Sequence, residues 1–405
     1  MLRPESSAGL SGPRLQHIDR FLQQKYLDTG KLPCALTLVE RNGQVAHSSA
    51  LGRMDVERNR PLQEDTIFRI YSMTKPLTSL ALLMLVEEGR ISLDDPVHRY
   101  IPQWRDLAVY EGGFIGSFRT KRTSAPMRVV DLLRHTSGLT YGFQQRTNVD
   151  AAYRKLRLGE IPTSVSLEQM IDELGKLPLE FSPGNAWNYG VSTDVVGYLV
   201  GKVSGQPFEQ FLRSRIIDPL GMTDTDFMVP AAKASRFAAC YAATPDGRMA
   251  LQDDPQTSFF LKPPTFVSGG GGLVSTAADY LRFCRMLLNG GALDGVRLVS
   301  PKTLELMSQN HLPGGKDLPD LAVSLFSEVT YAGVGFGLGF AVSVSPARGL
   351  LPGSPGDISW GGLASTYFWV DPRERLIVIF MTQLTPSATY PIRRELRTLV
   401  YSAFT

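Results

Sequence analysis

Strand-forming runs lie at the two ends of this chain and helical patterns fill the span between them. That distribution limits the fold more than any other feature. Towards one end, Ala35-Leu36-Thr37-Leu38-Val39-Glu40 and Val45-Ala46-His47-Ser48-Ser49-Ala50 flank Arg41-Asn42-Gly43. Two short strands about an Asn-Gly turn predict a hairpin. Towards the other end, residues 334–345 and 364–382 have strand composition, and Leu376-Ile377-Val378-Ile379-Phe380 is apolar throughout, as in a buried strand. Helical spacing marks residues 13–29 (Leu15, Ile18, Phe21, Leu22, Tyr26) and about 391–403. The expectation is an α+β fold: an antiparallel sheet built from both chain termini, flanked by terminal helices, with a mostly helical lobe inserted between. The boundaries read as 1–72 with 335–405 for the sheet domain and 73–334 for the helical one. Residues beyond Asp94-Asp95-Pro96 read as loop, because Gly112, Gly113, Gly116 and Pro126 break any periodicity.

Just past the first hairpin, Leu77, Leu80, Leu83, Met84 and Val86 predict a helix stopped by Gly89, apolar on nearly all sides and therefore interior. Ser72 sits at or just before its first turn, and Lys75, three residues on, shares its face. A serine hydroxyl attacks well only when another group takes its proton. A lysine can do so only in its neutral form, which burial favours. The Ser72 backbone N–H, unpaired in a first turn, is free to face a developing oxyanion. Ser-x-x-Lys alone is weak, since a capping serine and a solvated lysine give the same spacing.

Two further stretches add to it. Trp187-Asn188-Tyr189-Gly190-Val191-Ser192 puts a tyrosine at the start of a predicted helix, where it could serve as general base or equally as a plain buried phenol. Ser359-Trp360-Gly361-Gly362-Leu363-Ala364 places two glycines at the entrance to a strand, where backbone can approach a ligand or merely turn. No Gly-x-Ser-x-Gly occurs, so an α/β-hydrolase nucleophile elbow is excluded. His135, in Asp131-Leu132-Leu133-Arg134-His135-Thr136-Ser137-Gly138-Leu139, reads as a residue tying down a helix end before it reads as a catalyst. Ser268-Gly269-Gly270-Gly271-Gly272-Leu273 lacks the context of a phosphate loop and reads as closely approached backbone.

At 405 residues and 43% hydrophobic the chain has ample core, and a net charge of +3 dictates no nucleic-acid partner. Arg119, Lys121, Arg122 and Arg128 form the densest basic cluster and read as a solvated loop. Cys34, Cys240 and Cys284 suit free thiols in a reducing compartment. Five scattered histidines offer no metal-ligand spacing, and no run is long enough to span a bilayer. The expectations are no metal, no cofactor, no membrane, a cytoplasmic monomer or small homo-oligomer, and a small-molecule partner.

Tyr71-Ser72-Met73-Thr74-Lys75, His135-Thr136-Ser137-Gly138-Leu139, Phe181-Ser182-Pro183-Gly184 with Tyr189-Gly190-Val191, the run from Gly269 to Ser275, and Trp360-Gly361-Gly362 occur in that order. Together they resemble the serine β-lactamase-like superfamily, and within it the family VIII carboxylesterases related to class C β-lactamases and D-Ala-D-Ala carboxypeptidases. The resemblance covers about residues 13–403. It implies the β-lactamase/transpeptidase-like fold, with Ser72 as nucleophile, Lys75 as its hydrogen-bonded partner and Tyr189 as shared general base. It also implies an oxyanion hole from the backbone N–H groups of Ser72 and Leu363, with Trp360, Gly361, Gly362 and Val191 at the substrate. Two positions depart from the class C pattern: Val191 stands where an asparagine would steady the lysine, and Trp360 replaces the lysine of Lys-Thr-Gly. Without that cation a substrate carboxylate has no partner, so neutral esters are expected over penicillins. The reading is a serine carboxylesterase for small to medium esters, working through acyl-Ser72, with weak β-lactam hydrolysis at most. The alternatives are an acyltransferase of the same fold, a β-lactamase or D-amino peptidase, and a non-catalytic scaffold.

Overall fold

A computed structural model describes residues 8–324 and 331–405. Its centre is an eight-stranded sheet of β1 (Cys34–Arg41), β2 (Gln44–Asp55), β3 (Arg60–Pro61), β4 (Val334–Phe336), β5 (Ala341–Ser343), β6 (Ile358–Gly361), β7 (Tyr367–Asp371) and β8 (Leu376–Met381). The order across it is β4-β5-β6-β7-β8-β1-β2-β3, and every neighbouring pair is antiparallel. The join between the two ends of the chain is β1 against β8, with Leu36 opposite Met381 and Arg41 opposite Leu376.

The unbroken apolar run in β8 follows from its place in the middle of three layers. Leu376, Val378 and Phe380 face a core shared with Leu15, Ile18 and Leu22 of helix α1 (Gly12–Leu22) and with Ile392, Leu396 and Val400 of helix α5 (Ile392–Tyr401). Ile377, Ile379 and Met381 face the opposite core, which includes helices α2 (Lys75–Glu87) and α4 (Ala277–Leu288). With side chains alternating along a strand, burial on both faces leaves no polar position. α2 is apolar all round for the same reason: eleven consecutive residues from Lys75 to Leu85 are buried. It packs on helix α3 (Ser192–Ser204), which Gly205 ends in a left-handed conformation at φ 78°.

Two expectations change. The segment read as loop beyond Pro96 contains a hairpin, Ala108–Phe114 with Ser117–Arg122. Gly113 and Gly116 there adopt positive φ and serve the turn region rather than dissolving the strands. The basic cluster lies largely on the exposed second strand of this hairpin. Helix α4, within the interval read as the helical lobe, covers one face of the sheet.

Candidate active site

Ser72 lies in a single 3₁₀ turn, Tyr71–Thr74, that runs directly into α2 at Lys75. The turn starts from Tyr71 at φ 41°, a left-handed conformation that is strained for a residue with a Cβ. Its edges are pinned. Ile70 N–H donates to Leu273 O at 3.2 Å, Met73 N–H donates to Ile70 O at 3.0 Å, and Tyr280 Oη donates to Met73 O at 2.9 Å. Just upstream, the fully buried Arg69 pairs with Asp253 and donates to Ala238 O, while Gln383 Nε2 donates to Arg69 O. The turn therefore stands on both the sheet and the helical lobe.

Three of the sequence-predicted side chains converge here. Tyr189 Oη donates to Ser72 Oγ at 2.8 Å, and Lys75 Nζ donates to the same oxygen at 3.2 Å. Trp360 Nε1 donates to Tyr189 Oη at 3.3 Å, with the two rings 5.4 Å apart. Tyr189 precedes α3 by three residues and so stands before its first turn rather than within it.

Lys75 is fully buried, and its ammonium finds partners that the sequence did not announce. Nζ donates to Gly270 O at 2.7 Å and to Tyr141 Oη at 3.2 Å, and it lies 4.6 Å from the centre of the Tyr189 ring. Asp194 is buried close by and accepts from Ser268 Oγ at 2.5 Å and from Gly270 N–H at 2.9 Å, which fixes the carbonyl that holds the lysine. Burial raises its carboxyl above the ordinary value, while Ser268, Lys75 and the Gly270 amide oppose the rise. The glycine run is close-packed backbone, as expected: a Cβ at Gly269 would sit 2.7 Å from Thr193 O, and one at Gly270 2.7 Å from Asp194 Oδ2. Tyr141 and Gly270 thus steady the lysine.

Two other titratable rings are set apart from proton transfer. Burial, followed by the charges of Asp194 and Tyr189, pushes the Tyr141 phenol well above its ordinary value and keeps it protonated. His135 is fully buried, and its burial, together with the Lys75 charge, holds the imidazole well below its ordinary value. Neither His135 ring nitrogen has a hydrogen-bond partner among the described residues. The ring packs against Trp187, Tyr189 and Phe336 instead, so it supports the aromatic wall and does not tie a helix end through its side chain.

Trp360 and Gly361 close β6 beyond Ser359, the last residue that β5 pairs with, leaving that side of the strand open to a cavity. Gly362 N–H is spent on Thr366 O at 2.9 Å, whereas the N–H groups of Leu363 and Ser72 have no partner among the described residues. The cavity, about 190 Å³, is lined by Ser72, Tyr189, Trp360, Gly361, Gly362 and Leu363, together with Tyr71, Tyr141, Phe143, Trp187 and Ile161. Val191, expected at the substrate, does not line it: the side chain is fully buried at the start of α3 and turned to Gly159. Arg393 on α5 also borders the cavity and was not foreseen. Its Nη2 donates to Gly362 O at 2.9 Å and Thr366 O at 3.2 Å, clasping the turn that follows β6. No signal around Tyr141 or Arg393 marks them locally; both are recruited from elements distant in sequence.

The described residues contain no group of three or more metal-ligating side chains and no helix long and apolar enough to cross a membrane. Protein Rv1367c of Mycobacterium tuberculosis is 36% identical over 362 residues, covering 89% of this chain and 88% of its own. Esterase EstB of Burkholderia gladioli is 30% identical over 395 residues, covering 92% and 91%. Among solved structures, EstCE1, described as a hydrolase with promiscuous acyltransferase activity, superposes with a TM-score of 0.79 at 27% identity, over 96% of this chain and 98% of that one. The family description Beta-lactamase matches residues 18–402, nearly the whole sequence. With its fold and its serine–lysine–tyrosine cluster, the chain belongs to the Beta-lactamase family.

Proposed function

We propose that the protein is a serine carboxylesterase of the family VIII type, hydrolysing small to medium neutral esters through acyl-Ser72. The observation that carries this reading is the convergence of Tyr189 Oη and Lys75 Nζ on Ser72 Oγ at 2.8 and 3.2 Å. The similarity to Esterase EstB supports it. Once Tyr189 has released its own proton to solvent, Ser72 Oγ attacks the ester carbonyl carbon and the serine proton passes to the Tyr189 phenolate oxygen, within reach for transfer. The carbonyl oxygen becomes an oxyanion that accepts from the Ser72 and Leu363 N–H groups. Tyr189 then returns the proton to the departing alkoxide, which leaves as the alcohol. Water attacks the acyl-enzyme by the same route, releasing the acid and restoring Ser72.

Lys75, buried and held by Gly270 O and Tyr141, keeps its orientation through both halves of the cycle. Preference for neutral esters rests on the aromatic lining and on Arg393 being engaged by the Gly362 and Thr366 carbonyls. Cephalosporin turnover is accordingly a minor activity. Transfer of the acyl group to an alcohol is the second reading, motivated by the description of EstCE1. The three cysteines are buried and unpaired, in keeping with a cytoplasmic location.

The test is incubation with a fluorophosphonate followed by mass spectrometry of the modified peptide. The adduct is expected on Ser72, and p-nitrophenyl butyrate turnover is expected to disappear in Ser72→Ala. An adduct on another residue, or unaltered turnover in that variant, overturns the assignment. Product ratios with an added alcohol separate hydrolysis from transfer.

A further inference from the structure

Behind the active-site cavity lies a second one of about 210 Å³, lined by Phe227, Phe259, Phe260, Phe266 and Gly272 and rimmed by exposed Pro263 and Pro264. The reaction described above does not use it. Ile161 lines both cavities, and it packs against two otherwise separate hydrophobic clusters, the main core and the smaller one around Phe237 and Phe260. Beneath it, consecutive glycines divide the floor, Gly271 facing the first cavity and Gly272 the second. A Cβ at Gly271 would lie 3.4 Å from Ile161 Cδ1, and one at Gly272 2.8 Å from the Phe227 ring. Tyr71 completes the link: it lines the first cavity, and its ring meets the Phe260 ring edge-on at 6.4 Å. One aliphatic side chain over glycine backbone thus separates the reacting serine from a pocket walled by aromatic rings.

We infer that the cavity beyond Ile161 is the subsite for the hydrocarbon tail of the substrate's acyl group, with Ile161 as the side chain that sets how much of the tail enters. This rests on the esterase reading of Ser72. The departing alcohol has to reach the Tyr189 hydroxyl, which stands beside Trp360, so the end of the first cavity bounded by Tyr71, Gly271 and Ile161 is left to the acyl part. Neither cavity alone approaches the roughly 300–1,000 Å³ of pockets that enclose a medium-sized ligand, whereas the two joined do. The second cavity's aromatic lining has no charged group except at its margin, where Glu160 and Lys262 stand. It suits an alkyl or aryl tail and not a polar one.

The experiment compares Ile161→Ala, which opens the passage, with Ile161→Trp, which fills it. The first readout is the ratio of kcat/KM for p-nitrophenyl octanoate over acetate, with melting temperatures as the check on folding. Each methylene newly accommodated is worth about fourfold. The ratio is therefore expected to rise about tenfold or more in Ile161→Ala and to fall comparably in Ile161→Trp. A parallel series of alkyl acetates, in which only the alcohol lengthens, is expected to show no such reciprocal change. Calorimetric binding of decanoate supplies a second readout without turnover, tighter in the first variant and weaker in the second. An acyl-chain ratio and a decanoate affinity that are the same in all three proteins overturn the subsite. So does a reciprocal change confined to the alcohol series. Failure of the wild type to hydrolyse any p-nitrophenyl ester strikes the esterase reading instead, and decanoate binding still decides the subsite.

Discussion

Replacing Gly362 by alanine tests the oxyanion geometry most directly, because the added methyl meets the structure at a known place. It would lie 2.3 Å from Thr366 Oγ1 and 2.5 Å from Ile70 O, where real Cβ atoms stay beyond 3.0 Å. The threonine side chain can turn away. Ile70 O cannot, since it accepts the Met73 N–H at the start of the turn that carries Ser72. The backbone of Gly362 must therefore retreat by about 0.5 Å or more, taking the adjacent Leu363 N–H away from the one on Ser72. Losing one oxyanion donor costs about 10²–10³ in kcat, roughly 2.7–4 kcal/mol. A partial retreat is expected to lower kcat about a hundredfold with little change in KM, because the bond strengthens only as charge develops. Steady-state hydrolysis of p-nitrophenyl acetate measures this, with the melting curve reporting the fold. Gly201→Ala is the control: it lies inside α3, where the nearest atom to a new Cβ is 3.4 Å away. There the exchange is expected to stabilise by up to about 1 kcal/mol. A Gly362→Ala enzyme within threefold of wild-type kcat would refute the placement of the oxyanion beside Leu363.

Tyr141→Phe removes one of the acceptors around Lys75 Nζ while keeping the ring, and a hydrogen bond to a charged group is worth about 1.5–3 kcal/mol. kcat is expected to fall about 10- to 100-fold with KM nearly constant; a change confined to KM would make Tyr141 a wall residue only. Glu180, hydrogen-bonded by Thr147, is raised from 4.5 to about 6, chiefly by burial. Its ionisation as pH rises through that range therefore destabilises the fold, by up to about 2 kcal/mol and about 1 after screening at its exposed edge. Chemical denaturation should find Glu180→Gln more stable than wild type above pH 6, with the gap shrinking as pH falls towards 4; a gap that widens on acidification contradicts this environment.

What could be read from sequence divides by the range of the forces involved. The hairpin about Asn42-Gly43, the helix after Ser72 and the strand at Leu376–Met381 follow from turn chemistry and apolar spacing over a few residues, and they stand close to where those patterns put them. Ser72, Lys75 and Tyr189 could be grouped because their motifs occur together in order along the chain, a resemblance that no local rule supplies. The hairpin at residues 108–122 was hidden because its glycines look like breaks when they are turn positions. Tyr141, Arg393 and Ile161, and the hold of the Gly270 carbonyl on Lys75, were invisible for another reason. Each acts through a partner more than sixty residues away or through a backbone carbonyl, and neither leaves a mark in composition or spacing. Val191 was placed at the substrate by its motif neighbours, yet the start of α3 turns it to Gly159 and away from the cavity.

The antiparallel seam between β1 and β8 has a consequence for how the molecule is made. The early strand emerges with one edge exposed, and its partner is synthesised only after the entire helical lobe. At roughly 5–20 residues per second that wait is on the order of tens of seconds, during which an apolar strand edge is open to other chains. Contacts so remote in sequence also make the closing step slow once the partner arrives. A nascent chain stopped between Tyr189 and the start of β8 at Leu376 would carry Ser72, Lys75 and Tyr189 and yet lack the strand that completes the layer beneath them. Ribosome stalling or a premature stop within that interval should thus yield aggregate or degraded polypeptide instead of a weakened catalyst.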